Sequence, residues 1–326
     1  MLMKMRIGNP YLGVMILSFL TSFCALSSEL SHLNLNGSVA ETSDELSLRT
    51  KGLSLTNNRR NFVYPFDGAQ SDALDFGVSQ FDSHGTAAEI HFDHSLTEVW
   101  LGKKYKDQFF YRVFLGHDEI EGEKDSSFTK YKVEFEYKKE DLYSKLSYGH
   151  RSTIFDYRYP KAINSYLKTH PSDFLILWTP GKYRAKALFL EETLSDGNSA
   201  SYQDLELKYN VSFGEYWVLV GGGLEVYKNS KQFQGYWTPE TFISFGPRFE
   251  ASGPFVRSTF FSFALNLNRF EDENNDHGQG HYLNVALQSA QRNTNHFKVG
   301  YEKIQSTQRS SLWSFSRPYI SYNHFW

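Results

Sequence analysis

His150 and Ser152, in the run Gly149-His150-Arg151-Ser152, stand two residues apart and share one face if the segment is a strand. A histidine placed so can take the proton of a serine hydroxyl while the oxygen attacks an ester, with Asn164 further along as a third polar group. The bland alternative is coincidence, since the chain holds 11 histidines. His91 and His94 flank Asp93 but are three apart, so strand geometry sends them to opposite faces and they form no chelate. Cys24 is the sole cysteine and precedes the expected cleavage point, which leaves no thiol for nucleophilic, disulfide or metal chemistry. Gly221-Gly222-Gly223 has no helix start behind it and is not a phosphate cradle. No cofactor and no metal are expected.

A second chemistry lies in charges spaced every other residue. In Tyr131 to Lys138 the aromatic and aliphatic residues Tyr131, Val133, Phe135 and Tyr137 alternate with Lys132, Glu134, Glu136 and Lys138. Reading the polar half of each strand as a wet inner face gives Glu89, His91, Asp93, Lys132, Glu134, Glu136, Arg184, Lys186, Glu206, Lys208, Arg248, Glu250, Lys298 and Glu302. Rings of one sign would select ions of the other. Mixed signs instead suit a neutral or weakly charged, hydrated cargo, or simply pair across strands to stabilise the wall.

These faces require strands. Period-two alternation runs nearly throughout, and it divides into about sixteen strands, within a range of about 14 to 18. The expected spans are 43–56, 73–82, 86–96, 98–106, 108–118, 127–138, 141–151, 172–179, 182–192, 201–213, 215–228, 240–250, 254–270, 279–290, 294–304 and 311–326. Short connections at 83–85, 139–140, 180–181, Gly214 and 251–253 alternate with longer ones at 57–72, 119–126, 152–171, 229–239 and 271–278. Aromatics are 17% of residues although mean hydropathy is −0.49 and 22% are charged. A transmembrane antiparallel up-and-down β-barrel reconciles these values, with rings toward lipid and charges toward water, where a sandwich would not sort its loops by length. About sixteen strands enclose an aqueous channel unless a loop fills it. Net charge is −3, so no basic excess points to nucleic acid.

The chain ends agree. Lys4 and Arg6 precede an apolar run from Tyr11 to Leu26, with Ala25 and Ser27 suited to cleavage, so residues 1–27 read as a signal peptide. Residues 28–42 read as a short periplasmic segment and 43–326 as the barrel, with both termini periplasmic in the outer membrane of a Gram-negative cell. The final run Arg317 to Trp326 alternates aromatics on one face through Ile320, Tyr322, His324 and Trp326. It resembles the closing strand by which barrel assembly machinery recognises outer-membrane proteins, which implies Tyr322 and Trp326 as its signal and outer-membrane lipid as a partner.

The stretch Gly235-Tyr236-Trp237-Thr238-Pro239-Glu240, with Gly280-His281-Tyr282 and Phe297 to Gly300 beyond it, resembles the C-terminal barrel of exopolysaccharide exporters, especially the cellulose synthase outer-membrane subunit. That resemblance implies a sixteen-stranded conduit for a nascent polysaccharide. The tetratricopeptide scaffold of that family is not evident in this sequence, so a separate periplasmic scaffold and a polysaccharide synthase are the implied partners. Tyr236 and Trp237 then serve either as interfacial aromatics or as stacking platforms for sugar rings. The segment 153–171 is the candidate for an inward-folding constriction, with 57–72 as a second. The alternatives are a passive porin or structural barrel, and, resembling outer-membrane phospholipase A and lipid A deacylase, an esterase built on His150, Ser152 and Asn164.

Overall fold

The computed structural model describes residues 32–325 apart from 44–45, 58–73, 88–89, 106–107, 123–124, 154–166, 233–238, 257, 275–276, 290–295 and 309–310. Sixteen strands follow one another: β1 (His32–Thr42), β2 (Ser47–Thr56), β3 (Leu74–Ala87), β4 (Ile90–Tyr105), β5 (Phe109–Glu121), β6 (Ser126–Lys139), β7 (Leu142–Ser152), β8 (Lys168–Trp178), β9 (Tyr183–Leu194), β10 (Ser199–Asn210), β11 (Trp217–Asn229), β12 (Thr241–Val256), β13 (Thr259–Asp272), β14 (His277–Ser289), β15 (His296–Gln308) and β16 (Ser311–Phe325). Each pairs antiparallel with its sequence neighbours, and β1 pairs with β16 from His32↔Phe325 to Thr42↔Phe315. That last pairing closes the sheet, so every strand's backbone groups have partners on both sides, as a bilayer demands.

The strand number matches the alternation, but the first strands do not. Residues 32–42, read as a segment ahead of the barrel, are β1. The expected strands 73–82, 86–96 and 98–106 are two strands, β3 and β4, joined at 88–89. Ser83-His84-Gly85 looked like a turn because serine and glycine favour one, yet Gly85 lies inside β3 beneath the Phe92 ring. A Cβ there would sit 2.7 Å from the Phe92 Cζ atom, so glycine answers a packing need and not a bend. Ala251-Ser252-Gly253 likewise runs inside β12, which continues to Val256. Connections at Gly181 (φ +57°) and Gly214 (φ +57°) do use left-handed backbone, for which glycine carries no steric cost.

Counting β1 also reassigns the rims. Both ends of the described chain lie on one rim, here called the rim of the termini, since His32 pairs with Phe325. The 153–167 and 230–240 connections leave from the opposite rim, whereas 57–73, expected to join them, leaves from the rim of the termini.

Register and parity divide each strand into an outward and an inward face. The outward face is apolar beside the rim of the termini and polar beyond mid-strand. On β5 it runs Phe109, Tyr111, Val113, Leu115 and then His117, Glu119, Glu121; on β16, Tyr322, Ile320, Pro318 and then Ser316 and Ser314. An apolar belt exposed on the outside of a closed sheet is the lipid-facing surface of a transmembrane barrel.

Candidate functional site

The inward face is the site, and its strongest feature lies on β9 to β12. Arg248 on β12 reaches across β11 to β10, where its Nη1 donates to Asp204 Oδ1 at 2.7 Å and Glu206 Oε2 at 3.1 Å, while Nη2 donates to Glu225 Oε1 at 2.7 Å. The crossing is possible because β11 offers Gly223 at that level: a Cβ there would fall 2.1 Å from the Arg248 Nε atom. This gives Gly223, within the Gly221-Gly222-Gly223 run, a role as a seat for a guanidinium. Lys208 Nζ lies 2.7 Å from Glu206 Oε2 and 2.6 Å from Glu250 Oε1. Arg184 joins Glu206 at 3.0 Å and Glu250 at 2.5 Å, and Lys186 joins Asp204 at 2.7 Å. Four cations thus interleave with four carboxylates, and the side chains of Lys208 and Arg248 are only 1% and 2% exposed. Such burial is sustainable because each charge has opposite charges at hydrogen-bond range; removing one partner would strand the rest.

A second network spans β3 to β7. Arg112 bridges Asp75 at 2.8 Å and Glu134 at 3.5 Å, and Glu134 also receives Lys132 and Lys145, each at 2.7 Å. Lys130 pairs with Glu98 at 3.0 Å. Arg112 lies over the Phe110 and Phe114 rings at 4.9 and 5.4 Å, which holds its planar group against the wall.

The remaining arc, β13 to β16 with β1 and β2, is lined largely by amides, hydroxyls and rings, with Lys298, Glu302 and Arg317 at mid-wall on β15 and β16. Asn323 Oδ1 accepts from His32 Nε2 and from Asn34 Nδ2, both at 2.9 Å, and Asn36 Nδ2 continues the chain to Asn34 Oδ1 at 3.1 Å. Asn323 Nδ2 lies 3.0 Å from His296 Nε2. Tyr319 donates its hydroxyl proton to Asn284 Oδ1 at 3.1 Å across β15, passing over Gly300. Several rings lie on a glycine of the neighbouring strand in this way, among them Phe81 on Gly52, Trp100 on Gly77, Phe270 on Gly278 and Tyr319 on Gly300. Rings seated so lie along the wall and not across the bore.

The sequence-predicted residues Lys132, Glu134, Glu136, Arg184, Lys186, Glu206, Lys208, Arg248, Glu250, Lys298 and Glu302 all point inward by register. His91 and Asp93 do not. They lie on the outward face of β4, where Asp93 Oδ1 is 2.6 Å from His84 Nδ1 and both side chains are 67% exposed. Taking the polar half as the inner half fails beyond mid-strand, where both faces are wet. There the inward residues include apolar Ala40, Leu48, Phe92, Ile120 and Phe315, which cluster together, with a second cluster of Leu167, Leu194, Ala200 and Tyr227. Glu89, Tyr236, Trp237, Asn164 and Trp326 lie outside the described residues.

His150 sits on the outward side of the sheet near the rim opposite the termini. Its Nδ1 donates to the Thr129 carbonyl oxygen at 3.0 Å, and its ring stacks on His170 at 4.5 Å. Ser152, two residues on, is buried. Asp75, Arg112, Lys145, Asp204 and Glu225 were missed by the charge reading, although Asp204 has the same parity as Glu206 and could have been found. The amides were missed because a neutral side chain carries no sign to count.

A closed, lipid-belted cylinder with a polar interior defines the class of outer-membrane β-barrels. No family model and no curated protein matches this chain. Among solved structures, a bacterial polysaccharide outer membrane secretin superposes with a TM-score of 0.72 at 11% identity, over 91% of this chain and 99% of that one. OmpT of Vibrio cholerae, as a loop-deletion mutant, gives 0.47 at 11% identity over 91% and 99%, and Pseudomonas aeruginosa OccK3 gives 0.45 at 9% identity over 90% and 95%. At these identities the likeness is one of fold.

Proposed function

We propose that the protein is an outer-membrane channel that passes an exopolysaccharide outward, with both termini on the periplasmic side. The observation that carries this is the inner wall. In a cylinder of sixteen strands, a size that encloses water, the large charge clusters are internally paired and their rings and guanidinium groups lie along the wall. A bore of that kind offers a long hydrated cargo no ionic trap. The fold shared with a polysaccharide secretin supports the same reading, as does the resemblance of residues 221–250 to exporter barrels. A separate periplasmic scaffold and a polymer synthase are the partners it calls for.

The test is deletion of the gene followed by measurement of extracellular and periplasmic polymer. Export predicts that surface polymer falls and periplasmic polymer rises, restored by the full chain. Undiminished surface polymer in the deletion strain would overturn the proposal, and a porin role would then show as conductance to small solutes in planar bilayers without any secretion defect.

A further inference from the structure

We infer that the arc formed by β13 to β16, β1 and β2 is a binding track for an uncharged, polyhydroxylated polymer, a substrate class that rests on the export reading and narrows it. The two sides of the bore differ in what they leave available. In the lattice on β9 to β12, Asp204, Glu206, Glu225 and Glu250 each already lie within 3.1 Å of a cation. An acidic or basic polymer could gain contacts there only by breaking pairs whose members are mostly out of water, an exchange with no net gain in charge contacts.

On the neighbouring arc, which begins at β13 beside β12, Asn34, Asn36, Ser321, Asn284, Tyr282 and Tyr319 are half-buried and face inward by register. Amides and hydroxyls both donate and accept, which matches the dual character of a sugar hydroxyl, whereas ammonium groups only donate and carboxylates only accept. Tyr319 lies along the wall over Gly300, with an added Cβ falling 2.3 Å from its Cζ atom. A ring held in that attitude turns a face toward the bore, the surface on which the C–H face of a pyranose stacks. The mid-wall charges of this arc do not contradict the assignment. Glu302 and Arg317 are 2.5 Å apart, and the Lys298 ammonium stands 5.8 Å from the Tyr319 ring, a cation–π contact with the wall itself.

The experiment is calorimetric titration of the full-length, detergent-solubilised protein with three hexasaccharides: cellohexaose as the neutral probe, hexagalacturonate as the anionic one and chitosan hexamer as the cationic one. The expected result is binding of the neutral hexamer alone. Tyr319→Ala and Asn284→Ala should each weaken it by about tenfold, the scale of one stacked ring or one lost hydrogen bond in a dry contact. Tyr319→Phe keeps the ring face and should retain most of the affinity, and Lys298→Gln should leave it nearly unchanged. Heat-modifiable gel mobility verifies that each variant is folded, and Asn36→Ala substitutes for any that is not. Tighter binding of either charged hexamer, indifference of neutral binding to Tyr319→Ala, or no binding of any probe would overturn the track. Surface polymer that persists in the deletion strain, with the titration pattern as expected, would instead overturn export and leave the track standing.

Discussion

The wall of β9 to β12 and the wall of β16, β1 and β2 line one bore with different chemistry. In the first, Arg248, Lys208 and Arg184 tie four carboxylates into a sealed ionic lattice. In the second, His32, Asn34, Asn36 and Asn323 form a chain of neutral hydrogen bonds. Both hold their members by hydrogen bonds, but by forces that respond differently to loss of a member. Removing one ion leaves uncompensated charge in a poorly hydrated place, whereas removing one amide leaves a hydrogen-bonding group that water in the bore can serve. The ionic wall is therefore the more brittle of the two, and the amide wall the more adaptable to a moving guest.

That contrast has measurable consequences. The largest is expected for Arg248→Ala, which strands Glu225 and leaves Asp204 with Lys186 alone; urea unfolding of the barrel in lipid vesicles should show a loss of about 3–5 kcal/mol. Gly223→Val should follow at roughly 1–3 kcal/mol, because the new side chain occupies the seat of the guanidinium and must push it off its partners. If Gly223→Val proves neutral, the crossing of Arg248 over β11 is not what holds the lattice. On the other wall, Asn323→Ala removes the hub between His32 and Asn34, and unfolding under the same conditions should report about 1–2 kcal/mol. A cost equal to that of Arg248→Ala would erase the distinction between the walls. Smallest of all, Asp93→Asn on the outward polar collar should change stability by less than about 1 kcal/mol, since its pair with His84 is solvent-exposed. A larger effect there would mean that Asp93 has a buried role after all.

Legibility in the sequence varied by region for physical reasons. Alternation of rings and charges in Tyr131 to Lys138 gave both the strand and the correct inner face, because at membrane depth lipid tolerates only one of the two sets outside. The same rule misassigned His91 and Asp93, which stand where the strand has left the lipid and polarity no longer marks a side. β1 escaped detection because its inward residues are Asn34, Asn36 and Ser38, short neutral groups that lack the contrast of Lys132 or Glu134. The total of sixteen nevertheless agreed, through one strand overlooked and one counted too many.

By itself the sequence determined the class of structure and its approximate size: period-two patterning with aromatics on one face commits the chain to strands that bury their polar edges in one another. Only the tertiary structure decided that β1 meets β16, which rim carries the 57–73 connection, and that Arg248 finds Asp204 across a glycine on β11. Alternation fixes which residues of one strand share a face. Which residues of different strands meet depends on register around the closed sheet, and that is set by all sixteen pairings together.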